Sequence, residues 1–141
     1  MKYFEDLDLG AEFRTPGRTI TEADLVGFAA ISGDYGALEQ LRGGSGLSPV
    51  VPEILVFSIS SGLGFRVPDT QPQVLAFMVL DWRLLGTVRV GDTIHCRIRV
   101  TGKRPMKDGG VLIEKREIFN QRGEVVQEAE YKLLVARRPR D

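Results

Sequence analysis

The stretch ISGDYGALEQL, Ile31 to Leu41, carries two carboxylates, Asp34 and Glu39, five residues apart around a glycine-flanked turn. Two carboxylates held close in a dry pocket repel each other, so one keeps its proton while the other stays ionised, which sets an acid beside a base. On composition alone the same residues also read as a local turn-former and a surface charge. Ser58 and Ser61 are three residues apart on one helical face. Their hydroxyls either bond back to a carbonyl one turn earlier or, for Ser61, face a polar cavity. His95 and Cys96 are neighbours in a strand pattern, so they point to opposite faces and cannot form a nucleophilic couple. There is no GxxxxGK[ST], no GxGxxG and no His/Cys cluster with metal spacing, so neither a cofactor nor a metal is expected.

These residues need a scaffold, and the hydrophobic periods outline one. An irregular start and a short strand around Ala11 to Arg18 lead to a helix opening at Thr21, where Asp24 three residues on makes an imperfect capping box and Glu22 suits the first turn. Leu25, Phe28 and Ala29 form its apolar stripe and Gly33 its stop. The Gly- and Ser-rich GALEQLRGGSGLSP has no sustained period and reads as a loop, or a frayed helical turn followed by one. In VVPEILVFSISSGLGF, Pro52 suits a first helical turn and apolar residues occupy nearly the whole circumference, which predicts a buried helix. Four strands follow, Val74 to Leu85, Asp92 to Arg104, Gly110 to Gln121 and Glu124 to Arg138, with the last three joined as antiparallel hairpins. A bent antiparallel sheet of about five strands wrapped around one buried helix is an α+β arrangement. Its open edges and apolar surface predict a homodimer or a higher homo-oligomer.

At 141 residues, with 43% hydrophobic and 27% charged residues, the chain has the size of one domain, 1–141. A domain of this size buries roughly two thirds of its unfolded surface and needs no disulfide, which a single cysteine could not supply. No signal-like leader is present, and the apolar runs fall short of the roughly 20 residues that span a bilayer, so a soluble cytoplasmic protein without a membrane partner is expected. Net charge is zero but uneven. Residues 1–81 carry five Lys/Arg against eleven Asp/Glu, a balance of −6, and residues 82–141 carry fourteen against eight, +6. Such a split suits either solvated strand faces or a patch for an anionic ligand such as a phosphorylated carrier. The basic residues are not interleaved with aromatics, so nucleic acid is not expected.

YFEDLDLGAEFRTPGRTITEADLVGFAAISGDYGALEQL, together with SISSGLGFRVP, LAFMVLDWRLLGTVRVGDTIHCRIRV and NQRGEVVQEAEYKLLVARRP, resembles the MaoC-like dehydratases, the family of (R)-specific enoyl-CoA hydratases with the hot-dog fold. The resemblance implies a hot-dog fold and reversible addition of water across the 2,3 double bond of an acyl-CoA or acyl-carrier thioester, a reaction of fatty acid metabolism. In the family motif a Gly-Asp pair is followed by x-Asn-Pro-hydrophobic-His, the Asp and His activating water. Asp34 matches the aspartate, Gly33 and Tyr35 its flanks, and Ser61-Gly62 a Ser-Gly pair on the central helix. Gly36-Ala37 replaces Asn-Pro, Glu39 replaces the histidine, and Pro52-Glu53 replaces the His-Gly that opens the central helix. Pro52 lacks only its own N–H, so the Glu53 amide remains to receive a thioester oxygen.

Three activities fit this pattern. One is a hydratase/dehydratase using Asp34 and Glu39, with Tyr35, Glu53, Ser61 and Gly62 at the substrate. The second is a non-catalytic hot-dog subunit that binds thioesters or partners a catalytic paralogue. The third is an acyl-CoA thioesterase, in which one carboxylate activates water.

Overall fold

The computed structural model describes residues 1–44 and 46–139. After a single 3-10 turn at Phe4–Asp6, the predicted first strand is split into β1 (Glu12–Arg14) and β2 (Arg18–Thr19). The break falls at Thr15-Pro16-Gly17, where proline has no N–H for a ladder. Thr15 repairs it, donating its amide to Cys96 O at 2.9 Å and accepting the Cys96 amide on Oγ1 at 2.8 Å.

Helix α1 (Glu22–Ser32) starts where the capping signal placed it: the Thr21 amide donates to Asp24 Oδ2 at 2.8 Å. It ends at Gly33, whose φ of 75° is the left-handed region that glycine enters without strain. The Gly-rich stretch opens with a short helix, α2 (Gly36–Arg42). Helix α3 (Glu53–Gly64) has Pro52 at its N-cap rather than within its first turn.

The four long strands are β3 (Val74–Leu84), β4 (Thr93–Met106), β5 (Gly109–Phe119) and β6 (Val125–Val135). Strand order is β1-β4-β5-β6-β3, all antiparallel, with β2 also on β4, so β3 is an edge. The expected alternation holds in β4: Ile94, Cys96, Ile98 and Val100 are buried while Arg99 and Thr101 face outward. Asn120 Oδ1 closes the β5–β6 hairpin by accepting from the Arg122 and Glu124 amides at 2.9 and 3.1 Å.

The central helix is buried along one face, a narrower face than its apolar circumference suggests. Leu55, Val56, Ser60, Leu63 and Gly64 pack against the sheet, whereas Ile54 is 59% and the C-capping Phe65 70% exposed. One sheet can cover only one side of a helix, so an all-round apolar helix leaves its far side open in a single chain. Strand β3 shows the same excess, with Leu75, Phe77, Met78, Val79 and Leu80 all exposed on an unpaired edge. Among the described residues no helix is long and apolar enough to cross a membrane.

Tertiary pairing brings part of the uneven charge together. Acids of the first part meet bases of the second in Glu12–Arg99, Glu5–Arg137 and Asp6–Arg138, while Arg97–Glu117 (2.7 Å) and Lys115–Glu128 (3.4 Å) pair within the second part on the outer sheet face. The solvated-face reading of the basic segment is the one that these pairs support.

Candidate functional site

Asp34 occupies the corner between α1 and α2. Its amide donates to Ser32 Oγ at 3.0 Å, and its Oδ1 accepts the Gly36 amide at 3.0 Å, so the carboxylate satisfies a donor in the first turn of α2. Asp34 is solvent-exposed, as is Tyr35 at 61%. Glu39 lies further along α2, also exposed, at a mostly apolar hollow of about 470 Å³ lined with Tyr35, Leu38, Leu41 and Arg42. The structure therefore gathers Tyr35 and Glu39 at one hollow. No hydrogen bond or ion pair among the described residues joins Asp34 to Glu39.

The other candidates lie on α3. Leu55 N and Val56 N donate to Pro52 O at 3.0 and 3.1 Å, which makes them the first intrahelical bonds and leaves the Glu53 and Ile54 amides ahead of the ladder. The Glu53 side chain points to solvent. Ser58 Oγ donates to Ile54 O at 2.8 Å, the back-bonded alternative for that hydroxyl. Ser61 is half-buried and makes no side-chain hydrogen bond among the described residues, and Gly62 is exposed beside a hollow shared with Arg18, Ser58 and Arg66. The entry to α3 is tethered to α2, because Gln40 Oε1 accepts the Val50 amide at 2.9 Å, and to the chain before β4, because Val51 N donates to Val88 O at 2.8 Å.

His95 and Cys96 diverge as the alternation requires. His95 stacks on Phe119 at 5.2 Å with planes 9° apart, and burial followed by the nearby Arg14 charge lowers its pKa. Cys96 is in the core with Sγ 3.9 Å from Ser60 O, and burial pushes its thiol up to about 11. Among the described residues no three His, Cys, Asp or Glu side chains gather as metal ligands.

Two polar features escaped sequence reasoning. On β5, Glu114 (2% exposed) faces inward and takes the Arg116 guanidinium at 2.8 Å, which also lies 4.1 Å over the Tyr131 ring. On β6, Gln127 is buried between Trp82 and the first turn of α3. A signal existed: Gln127 shares its strand phase with Ala129, Tyr131, Leu133 and Val135, and Glu114 and Arg116 share theirs with Leu112 and Ile118, so each puts a polar group on the apolar face.

No protein-family model matches the chain. Protein MaoC of Klebsiella aerogenes is 35% identical over 107 residues, 73% of this chain and 31% of that protein, so the chain spans about a third of the length of the curated relative it matches. The solved structure of the monoamine oxidase regulatory protein from Archaeoglobus fulgius is 32% identical with a TM-score of 0.83, covering 98% of this chain and 96% of that one. A MaoC-like dehydratase from Rhodospirillum rubrum (24% identical, TM-score 0.83, 99% of this chain and 100% of that one) carries the fold alone. So does a Mycobacterium tuberculosis protein with a double hot-dog fold (22%, TM-score 0.81, 98% and 45%).

Proposed function

Because the chain belongs to the MaoC-like dehydratase family and has the hot-dog fold, we propose that it binds an acyl-CoA or acyl-carrier thioester and adds or removes water at the 2,3 bond. The observation that carries this reading is the N-terminus of α3. There the Glu53 and Ile54 amides stand ahead of the helical ladder, at the positive end of the helix dipole. A thioester oxygen gains negative charge as water adds at C3, and donors already fixed in place stabilise that charge without reorganising.

Proton transfer falls to Asp34 and Glu39. Asp34 as carboxylate takes a proton from water as its oxygen bonds to C3, and Glu39 in its acid form gives one to C2. One proton is taken and one given, and exchange with solvent restores the pair. A second copy covering the exposed α2 surface and the open side of α3 is what would exclude water from this pair. A cytoplasmic homodimer of one-domain chains is therefore part of the proposal. The exposed apolar edge β3 supports it, because an unpaired strand is a template for another chain.

A second reading, a thioester-binding subunit without turnover, is favoured by a specific observation: Asp34 Oδ1 is already engaged by the Gly36 amide and both carboxylates are exposed in the single chain. The deciding experiment is hydration of crotonyl-CoA by the purified protein, with free thiol measured in parallel. Loss of the enoyl absorbance without thiol release is the expected outcome. Thiol release would make the protein a thioesterase, and neither signal at any chain length would leave the binding subunit.

A further inference from the structure

Gln127 is 1% exposed, and each end of its amide is bonded in a direction that packing alone would not require. Its Oε1 accepts the indole Nε1–H of Trp82 on β3 at 3.1 Å, and its Nε2 donates to the main-chain oxygen of Glu53, the first residue of α3, at 3.0 Å. Burying an amide is unfavourable unless its bonds are met, and an apolar side chain of the same volume would fill this space without that condition. What the amide adds is geometry. Apolar contacts are non-directional and let a helix shift or rotate slightly, whereas a hydrogen bond to one named carbonyl fixes where the first turn sits. The same indole braces the helix a second time, because the Phe57 ring, one turn after Glu53, lies 5.1 Å from Trp82. Trp82, Gln127 and the first turn of α3 thus form one unit, and the Glu53 and Ile54 amides are in that turn.

We propose that Gln127 is a positioning residue for the thioester oxygen: its bond to the Glu53 carbonyl holds the amides at the start of α3 where developing charge is received. This rests on the reading that the thioester oxygen docks at that helix end. Misplacing preorganised donors by a fraction of an ångström weakens the transition state more than the bound ground state, so the effect falls on kcat.

The test compares the parent, Gln127→Met, Trp82→Phe and the double variant in crotonyl-CoA hydration, with thermal unfolding of each. Gln127→Met keeps the volume and removes both bonds, and the double variant also removes the indole N–H that the methionine orphans. The expected result is a kcat about tenfold or more below the parent in Gln127→Met, with KM within about threefold. The double variant regains thermal stability but not kcat. Parental kcat in Gln127→Met, or recovery of kcat together with stability in the double variant, overturns the inference by making Gln127 a partner for Trp82 and nothing more. A parent that hydrates no 2-enoyl thioester sinks the proposed activity separately. The same proteins are then titrated with butyryl-CoA by calorimetry. Affinity within about threefold of the parent in Gln127→Met, alongside the lowered kcat, supports the inference; a loss of affinity as large as the loss of kcat, or no binding by the parent, overturns it.

Discussion

Glu114 and Arg116, two residues apart on β5, both face inward and pair at 2.8 Å beneath α3, with the Glu114 side chain 3% and the Arg116 side chain 14% exposed. The Arg116 guanidinium also covers the Tyr131 ring and lies 3.5 Å from where a Cβ on Gly64 would stand. Removing one partner leaves a buried charge without compensation. Glu114→Leu is expected to destabilise the fold by about 3–5 kcal/mol, and the double variant Glu114→Leu/Arg116→Met to recover most of it. Urea unfolding checks this, and equal losses in the single and double variants would show that the ion pair is not the source.

Asp34 is exposed and holds one local turn, so Asp34→Ala is expected to change stability by no more than about 1 kcal/mol. As the proposed base it should lower kcat/KM for crotonyl-CoA by at least about a hundredfold. A variant with parental rate would remove Asp34 from the chemistry whatever the protein binds.

Cys96 sits in the core with its thiol pushed up to about 11 by burial. Neutral thiol is the favoured form, so the folded protein should leave Cys96 unreactive toward a disulfide reagent at pH 8, with full reaction on unfolding. The linked stability has a fixed sign. A folded-state pKa above the unfolded value of 9.0 means that the folded state binds more proton between the two. The contribution is complete below pH 9 and is lost as pH rises towards 11. Rapid modification of the native protein would contradict the burial.

At Gly110 a Cβ would lie 2.2 Å from the Phe4 ring, which closes the lower part of the sheet and has the Lys103 ammonium 4.5 Å from its centre. Gly110→Ala must displace Phe4 from the cluster it forms with Leu112, Tyr131 and Val135. A loss of about 1–3 kcal/mol in thermal or urea unfolding is expected. Gly62→Ala, where a Cβ meets nothing within 4 Å, is the matched control and should be close to neutral.

The exposed edge β3 gives the oligomer prediction. Leu75 and Val79 are 55% and 47% exposed there. Lysine at an edge strand opposes pairing with another chain, so Leu75→Lys/Val79→Lys should convert a dimer to a monomer in light scattering with an unchanged circular dichroism spectrum. A parent that is already monomeric would refute the dimer.

The sequence by itself determined what depends on near neighbours. Thr21 with Asp24 and Gly33 bounded α1, and period-two alternation placed β4 with its apolar residues inward. The turn residues in MKDGG and NQRG joined β4, β5 and β6 as hairpins. Capping and pleating act over one to four residues, so their rules can be applied to a string. The Asp34 corner was legible in part. A turn-former behind a helix was readable, and its Gly36 bond is local, whereas the distance from Asp34 to any acid depends on how α2 lies against the rest.

Only the tertiary structure decided the rest. The split of charge between the two parts of the chain became pairs such as Glu12–Arg99 because β1 lies on β4 in one register. The all-round apolar pattern of α3 could not reveal that a single sheet covers one side and leaves Ile54 open. Gln127 was visible as a polar residue in an apolar phase, but its partners, Trp82 45 positions away and Glu53 74 away, are brought together by strand order and helix placement. Contacts between distant segments follow from the closed fold, and no local rule reaches that far.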